Sequence, residues 1–251
     1  MRFYPAVANP NSPRIRIRGG HRTEAEIERL LLHIHVGSQS RAGAIIVDGI
    51  LNNGDAREEI IIENPHHALQ NAFADARRAD HRSDQPNSTV TGLLDNPGRG
   101  AGAKVTFFPW EWHQVGGGRP GSSRDEVLLH ELVHAFMIQR GISSVRNLHR
   151  RRFARRVRRF DNVDEFFAIM ITNVYSSECG RPTLRDHGFV SRPLNRNAMS
   201  VASDPGFAPF FTALAGAAPD LVTALKAIDT EFNPWNPRME LIDATAVFND
   251  P

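Results

Sequence analysis

Residues 124–140 contain neither Pro nor Gly, and this stretch constrains the chain more than any other. Val127, Leu128, Leu132, Val133, Phe136 and Met137 recur there at helical spacing. Ser123 and Glu126 have the S-x-x-E spacing of a capping box, which predicts a helix start near Arg124, and Gly141 is placed to stop it. Inside the run lies His130-Glu131-Leu132-Val133-His134. Four residues apart on a helix, the two imidazoles project from one face. That spacing lets both bind one zinc ion at about 2.0–2.1 Å. Glu131 would sit beside such an ion rather than on it, where a carboxylate can take a proton from the attacking water. Without a metal, the same residues read as two partly buried histidines on an amphipathic helix. The agreement of helix signals with ligand spacing favours the metal.

A hydrolytic metal centre needs a third protein ligand and an open fourth position. The metzincin extension places Gly three residues after the second His and a third His six after; this chain has Met137 and Arg140 there. A carboxylate on a later helix is the alternative. Asp164-Glu165-Phe166-Phe167-Ala168-Ile169-Met170-Ile171 opens with acids and continues apolar, as a buried helix does. Glu165-x-x-Ala168 is similar to the pattern by which gluzincin peptidases supply their third ligand. Glu165 is the expected ligand, with Asp164 next and Glu178 after it. Both Asp164 and Glu165 also suit the first turn of a helix, where the dipole favours negative charge. Gluzincins often carry an acid directly after that Ala; here Ile169 stands there, so groups that orient the ligand histidines must come from elsewhere. Tyr175 is the expected second catalytic group, its phenol donating to the oxyanion formed at the scissile carbonyl. A core tyrosine is the competing reading. His113 and His187 are further candidates for that donor. His33, His35, His66 and His67 read as surface or core histidines.

The chain has 251 residues and 41% hydrophobic content, enough for one sizeable core. Cys179 is alone, which rules out an intrachain disulfide. No apolar run reaches transmembrane length, and a soluble protein is expected. Residues 1–22 carry no acid and are rich in Asn, Pro, Arg and Gly, so a flexible N-terminal segment is expected, with a secretion signal as its sharper reading. Residues 23–251 are expected to form a single catalytic domain, with 181–251 as its helical C-terminal part. A helix is predicted over Glu24–Val36, capped by Thr23, and a further apolar stretch over Ala42–Leu51. Glu59–Glu63 and Ala103–Phe108 read as strands, and most of 75–100 as loop. Ala103–Phe108, just before the metal helix, is the candidate edge strand for an extended peptide. Pro209–Ala217 and Asp220–Phe232 read as helices.

Between the ligand segments, Arg146–Arg159 holds eight arginines in fourteen residues. A solvated face is the plain explanation; selection of an acidic or phosphorylated substrate is the sharper one. A non-catalytic protein that binds a partner or nucleic acid through this segment is the rival function. Against nucleic acid, the net charge is only +2 and few aromatics interleave the run. Only Lys104 and Lys226 are lysines among 30 Lys plus Arg. A GC-rich genome explains this, as does delivery into eukaryotic cells, where few lysines mean few ubiquitin acceptors.

Asp125–Ala135, Val163–Ala168 and Thr172–Glu178 together resemble the NleD-like effector zinc metallopeptidases of Gram-negative pathogens and symbionts. The resemblance spans roughly residues 100–180 and is sharpest in the metal helix. It implies an α+β, zincin-like fold, a small mixed sheet packed on the metal-binding helix. It implies one catalytic Zn2+, for which the residue readings above supply His130, His134 and Glu165 as ligands, with Glu131 and Tyr175 as the candidate catalytic residues. It further implies delivery by a specialised secretion system into the host cytoplasm, with a host signalling protein, such as a kinase, as substrate. The same hydrolase aimed at bacterial rivals or cell-wall peptides is a third reading.

Overall fold

Short isoleucine-rich stretches build the sheet. The computed structural model describes residues 1–4, 15–52, 59–64, 73–76, 94, 100–110, 120–143, 160–186 and 193–237. Five strands are present among them: β1 (Arg2–Tyr4), β2 (Ile15–Arg18), β3 (Ile60–Glu63), β4 (Phe73–Ala76) and β5 (Ala103–Thr106). Their order is β1-β2-β3-β5-β4. β2, β3 and β5 run parallel, while β1 and β4 are antiparallel to their neighbours at the two edges. Ile15 lies opposite Ile60, and Ile17 opposite Ile62, which in turn faces Val105. All five are fully buried, as parallel strands covered by helices require.

Two sequence expectations are corrected here. Residues 1–22 are not wholly a flexible segment: Arg2–Tyr4 and Ile15–Arg18 are strands. The alternation of Ile15 and Ile17 with Arg16 and Arg18 is the period-two signal that composition masked. Ala103–Thr106 is not an edge. It is hydrogen-bonded to β3 on one side and β4 on the other. β4 is the edge beside it, in a stretch whose polar composition hid a strand.

Helices α1 (His21–Leu32) and α2 (Arg41–Leu51) connect β2 to β3. α1 continues into one wider turn, His33–Gly37. Gly20 stands at its cap position, so Thr23 lies inside the helix rather than capping it. α3 (Arg124–Gln139) is the helix foreseen around the histidines. Its capping box is present, the Ser123 N–H donating to the Glu126 carboxylate at 3.1 Å. It ends at Gly141, whose φ of +67° suits a residue without Cβ. α4 (Val163–Glu178) starts at Asn162, whose side chain accepts from the Glu165 N–H at 2.8 Å. The two are antiparallel: Asp125 meets Tyr175 at one end, and Ser143 meets Asp164 at the other.

α5 (Ala198–Ala202), α6 (Ala208–Ala217) and α7 (Pro219–Lys226) follow. Phe166 on α4 joins them to the core, its ring lying 5.0–5.2 Å from those of Phe160, Phe207 and Phe210. The helix expected over Asp220–Phe232 stops at Lys226. Asn233 covers this end, its amide donating to the carbonyls of Leu225, in the last turn, and of Ile228 just beyond it, which satisfies from outside an acceptor that a helix end leaves open. The protein is thus mixed α+β, a small mixed sheet with helices. Among the described residues no single helix is long and apolar enough to cross a membrane.

Candidate metal centre

α3 packs beside β5 and β4 on one side and α4 on the other, and the latter contact buries the key polar atoms. His130 Nε2 lies 3.2 Å from His134 Nε2 and 3.3 Å from Glu165 Oε2. His134 Nε2 lies 3.4 Å from the same oxygen. These three donors form a nearly equilateral triangle. Donors at about 2.0–2.1 Å from a common centre in a tetrahedron stand about 3.3–3.4 Å apart, so the triangle fits one face of a four-coordinate site. The group could hold a metal ion.

Local structure explains the placement. The Asn162 cap fixes the Glu165 backbone at the third helical position, where glutamate often reaches back to the cap. Here the side chain is turned to the imidazoles instead. The rings meet edge-on, 79° apart with centroids at 4.8 Å, as two side chains one turn apart converge on one point. Among the described residues, the buried Nδ1 of His130 has no hydrogen-bond partner.

The electrostatics suit a cation. Burial alone would raise the Glu165 carboxyl, but the two histidines hold it well below the usual carboxylate range. Burial pushes His130 down to about 4, against the pull of Glu165, which keeps it neutral with a lone pair to offer. His134 goes the other way, up to about 9. Burial opposes that shift, and the Glu165 hydrogen bond with the charges of Glu131, Glu165 and Asp164 overcomes it. A metal ion and this proton compete for the same nitrogen. Glu131 is buried next to His130 and its charge acts on His134.

The other expected residues lie elsewhere. Asp164 accepts from Ser143 Oγ at 2.5 Å. Glu178 caps α2, accepting from Ser40 Oγ and from the N–H groups of Arg41 and Ala42. Tyr175 is not brought to the triangle, which corrects its catalytic assignment. It is fully buried and donates to Asp125 Oδ2 at 2.6 Å, ten residues and about 15 Å along α4 from Glu165. Burial, then the Asp125 charge, raises its phenol pKa, which holds the proton on the ring oxygen. His35 bridges the Tyr4 hydroxyl and Asp48 at 2.8 and 2.9 Å, and His33 stands 3.8 Å from Asp125. His66, His67, His113, His187 and the Arg146–Arg159 segment lie outside the described residues.

Compared with known proteins, the chain matches no family model, no curated protein and no solved structure. The site must be read from its own atoms. Those atoms include a residue that sequence reasoning missed: Arg185, whose guanidinium lies 3.3 Å from Glu165 Oε1. No motif or spacing marks it, because the chain after α4 brings it back to Glu165.

Proposed function

We propose that this chain is a zinc-dependent endopeptidase of zincin-like fold. The observation that carries the reading is the triangle of His130 Nε2, His134 Nε2 and Glu165 Oε2, with Glu131 next to it on the helix. Two imidazole nitrogens and one carboxylate oxygen are a donor set that suits zinc, and three protein ligands are the number that hydrolytic sites use. An ion held there would supply a Lewis acid for the scissile carbonyl. Glu131 takes a proton from the attacking water and returns it to the leaving amine. β4 offers the docking edge: it is paired on one side by β5, lies against the metal helix, and among the described residues no strand covers its other side. An extended peptide can add there by backbone hydrogen bonds.

Delivery into a host cell and a host signalling protein as substrate complete the proposal. The resemblance of the metal helix and the second segment to effector peptidases supports them, as does the near-absence of lysine. The test is metal analysis of the purified protein beside Glu131→Gln. Near one equivalent of zinc in both, with proteolysis lost in the variant alone, is the expected result. Full proteolysis by Glu131→Gln rejects the role given to that residue, and a metal-free wild-type protein that cannot be loaded rejects the centre. Mapping new protein N-termini in cells exposed to the active and inactive forms then identifies the substrate.

A further inference from the structure

The two oxygens of Glu165 face different partners. Oε2 lies 3.3 and 3.4 Å from the two imidazole nitrogens, whereas Oε1 lies 3.3 Å from the Arg185 guanidinium. We infer that Arg185 is a positioning residue that reserves Oε1, so that Glu165 presents one oxygen to the metal and the fourth coordination position stays open. This rests on the metal reading above.

A carboxylate can bind a cation through one oxygen or two, and the second would occupy the place a hydrolytic centre leaves for water and substrate. An ion pair on Oε1 opposes that rotation. Arg185 is held for the task from two sides. Asn173, buried on α4, donates from its amide to the Arg185 carbonyl at 2.7 Å and accepts from the Arg185 N–H at 2.9 Å. Gly121, just before α3, has φ +69°, and a Cβ there would stand 2.7 Å from Arg185 Cδ and 3.1 Å from its Cβ. Glycine leaves the space through which the arginine stem runs. The residue that steers the third ligand is thus fixed by the helix carrying that ligand and by the entry to the helix carrying the other two. A guanidinium suits the role because it keeps its charge at any working pH.

Affinity is a poor measure of this role. Loss of Arg185 removes a like charge near the cation and also the partner of its ligand, and the two act in opposite directions. Coordination number reads it directly. The full chain, Arg185→Gln and Arg185→Lys are titrated with Co2+ and followed by visible absorption, which is intense for four-coordinate and weaker for five-coordinate ions. The wild-type protein should give the intense band. Arg185→Gln should lose about half of it or more as Glu165 becomes bidentate, and Arg185→Lys, which keeps a cation on Oε1, should recover most of it. A wild-type spectrum from Arg185→Gln overturns the inference while leaving the metal centre intact. No Co2+ uptake by the wild-type chain sinks the metal reading itself, a distinct result. Should Arg185→Gln lack a cooperative melting transition, Gly121→Ala is read in its place. It displaces the stem and keeps the charge, and an unchanged band in that variant overturns the inference equally.

Discussion

Asp125, Glu126, Tyr175, Ser176 and Arg181 gather at one end of the α3/α4 pair; His130, His134 and Glu165 gather further along it. Both clusters are largely buried, and both mix acids with basic groups. In the first, the polar atoms find partners within the protein. Tyr175 and Ser176 donate to Asp125 and Glu126 at 2.6 and 2.5 Å, Arg181 bridges both carboxylates, and its guanidinium lies over the Tyr175 ring. In the second, one ligand atom from each of two imidazoles and a carboxylate converges on one point, held together by hydrogen bonds through Glu165. A cluster whose donors and acceptors pair off stabilises and orients; one that gathers two imidazole nitrogens and a carboxylate oxygen at ligand spacing could hold a metal ion in place of a proton. The difference assigns Tyr175 to the first kind and leaves the proposed chemistry to the second.

The sharpest way to break that division is a rate measurement. Glu131→Gln should cut peptide cleavage by about 10²–10⁴-fold, the usual contribution of a general base, with its metal content unchanged. Tyr175→Phe should leave the rate near wild type. A loss in Tyr175→Phe as large as that in Glu131→Gln would return the phenol to the catalytic centre.

Stability should show the reverse pattern. Asp125→Ala strips the Tyr175 hydroxyl of its acceptor and Arg181 of one of its two carboxylates, and breaking a buried pair costs about 3–5 kcal/mol. Arg181 keeps Glu126 as a partner and some access to water, which places the expected loss at about 3 kcal/mol in urea unfolding. A loss under about 1 kcal/mol would make the closed cluster a surface-like ion pair.

Metal should stabilise through the other cluster alone. Zinc at a hundredfold excess over its dissociation constant should add about 2.7 kcal/mol to the wild-type protein and nothing to His134→Ala, by thermal melting of each with and without zinc. Equal stabilisation of both would place the ion somewhere other than this triangle.

How much of this was legible in the sequence follows from the range of each interaction. The helix that carries the two histidines, its capping box and its Gly stop are local signals, and they stand where expected. Glu165 rested on a short pattern joined to an apolar run, and the structure brings it to the histidines. Tyr175 failed because helical periodicity gives direction and not distance: a return to the same face can still lie about 15 Å along the axis. Arg185 and Asn173 had no local signal at all, since their pairing depends on how the loop after α4 closes on Gly121. The edge strand was missed for a similar reason. Ala103–Thr106 has the stronger β-pattern because it is interior and buried, whereas β4 needs only one paired side.

The smallest expected effect concerns acid. Burial would raise the Asp125 carboxyl, but Arg181 and the Tyr175 and Ser123 hydroxyls outweigh it and hold the carboxyl below its usual value. In the unfolded chain such a group titrates near about 3.9. Its contribution is therefore whole above that pH and drains away as pH falls through the lower folded value, where both states become protonated. Melting temperatures of wild-type protein and Asp125→Asn, taken from pH 6 to 2 without metal, should differ most at the upper end and converge at the lower. Glu165 is also depressed and contributes its own acid loss, but it does so in both proteins, so the difference between the curves isolates Asp125. Curves that fall in parallel would mean that the Asp125–Arg181 contact carries no charge-dependent stability, and the contrast between the two clusters would then rest on hydrogen bonding alone.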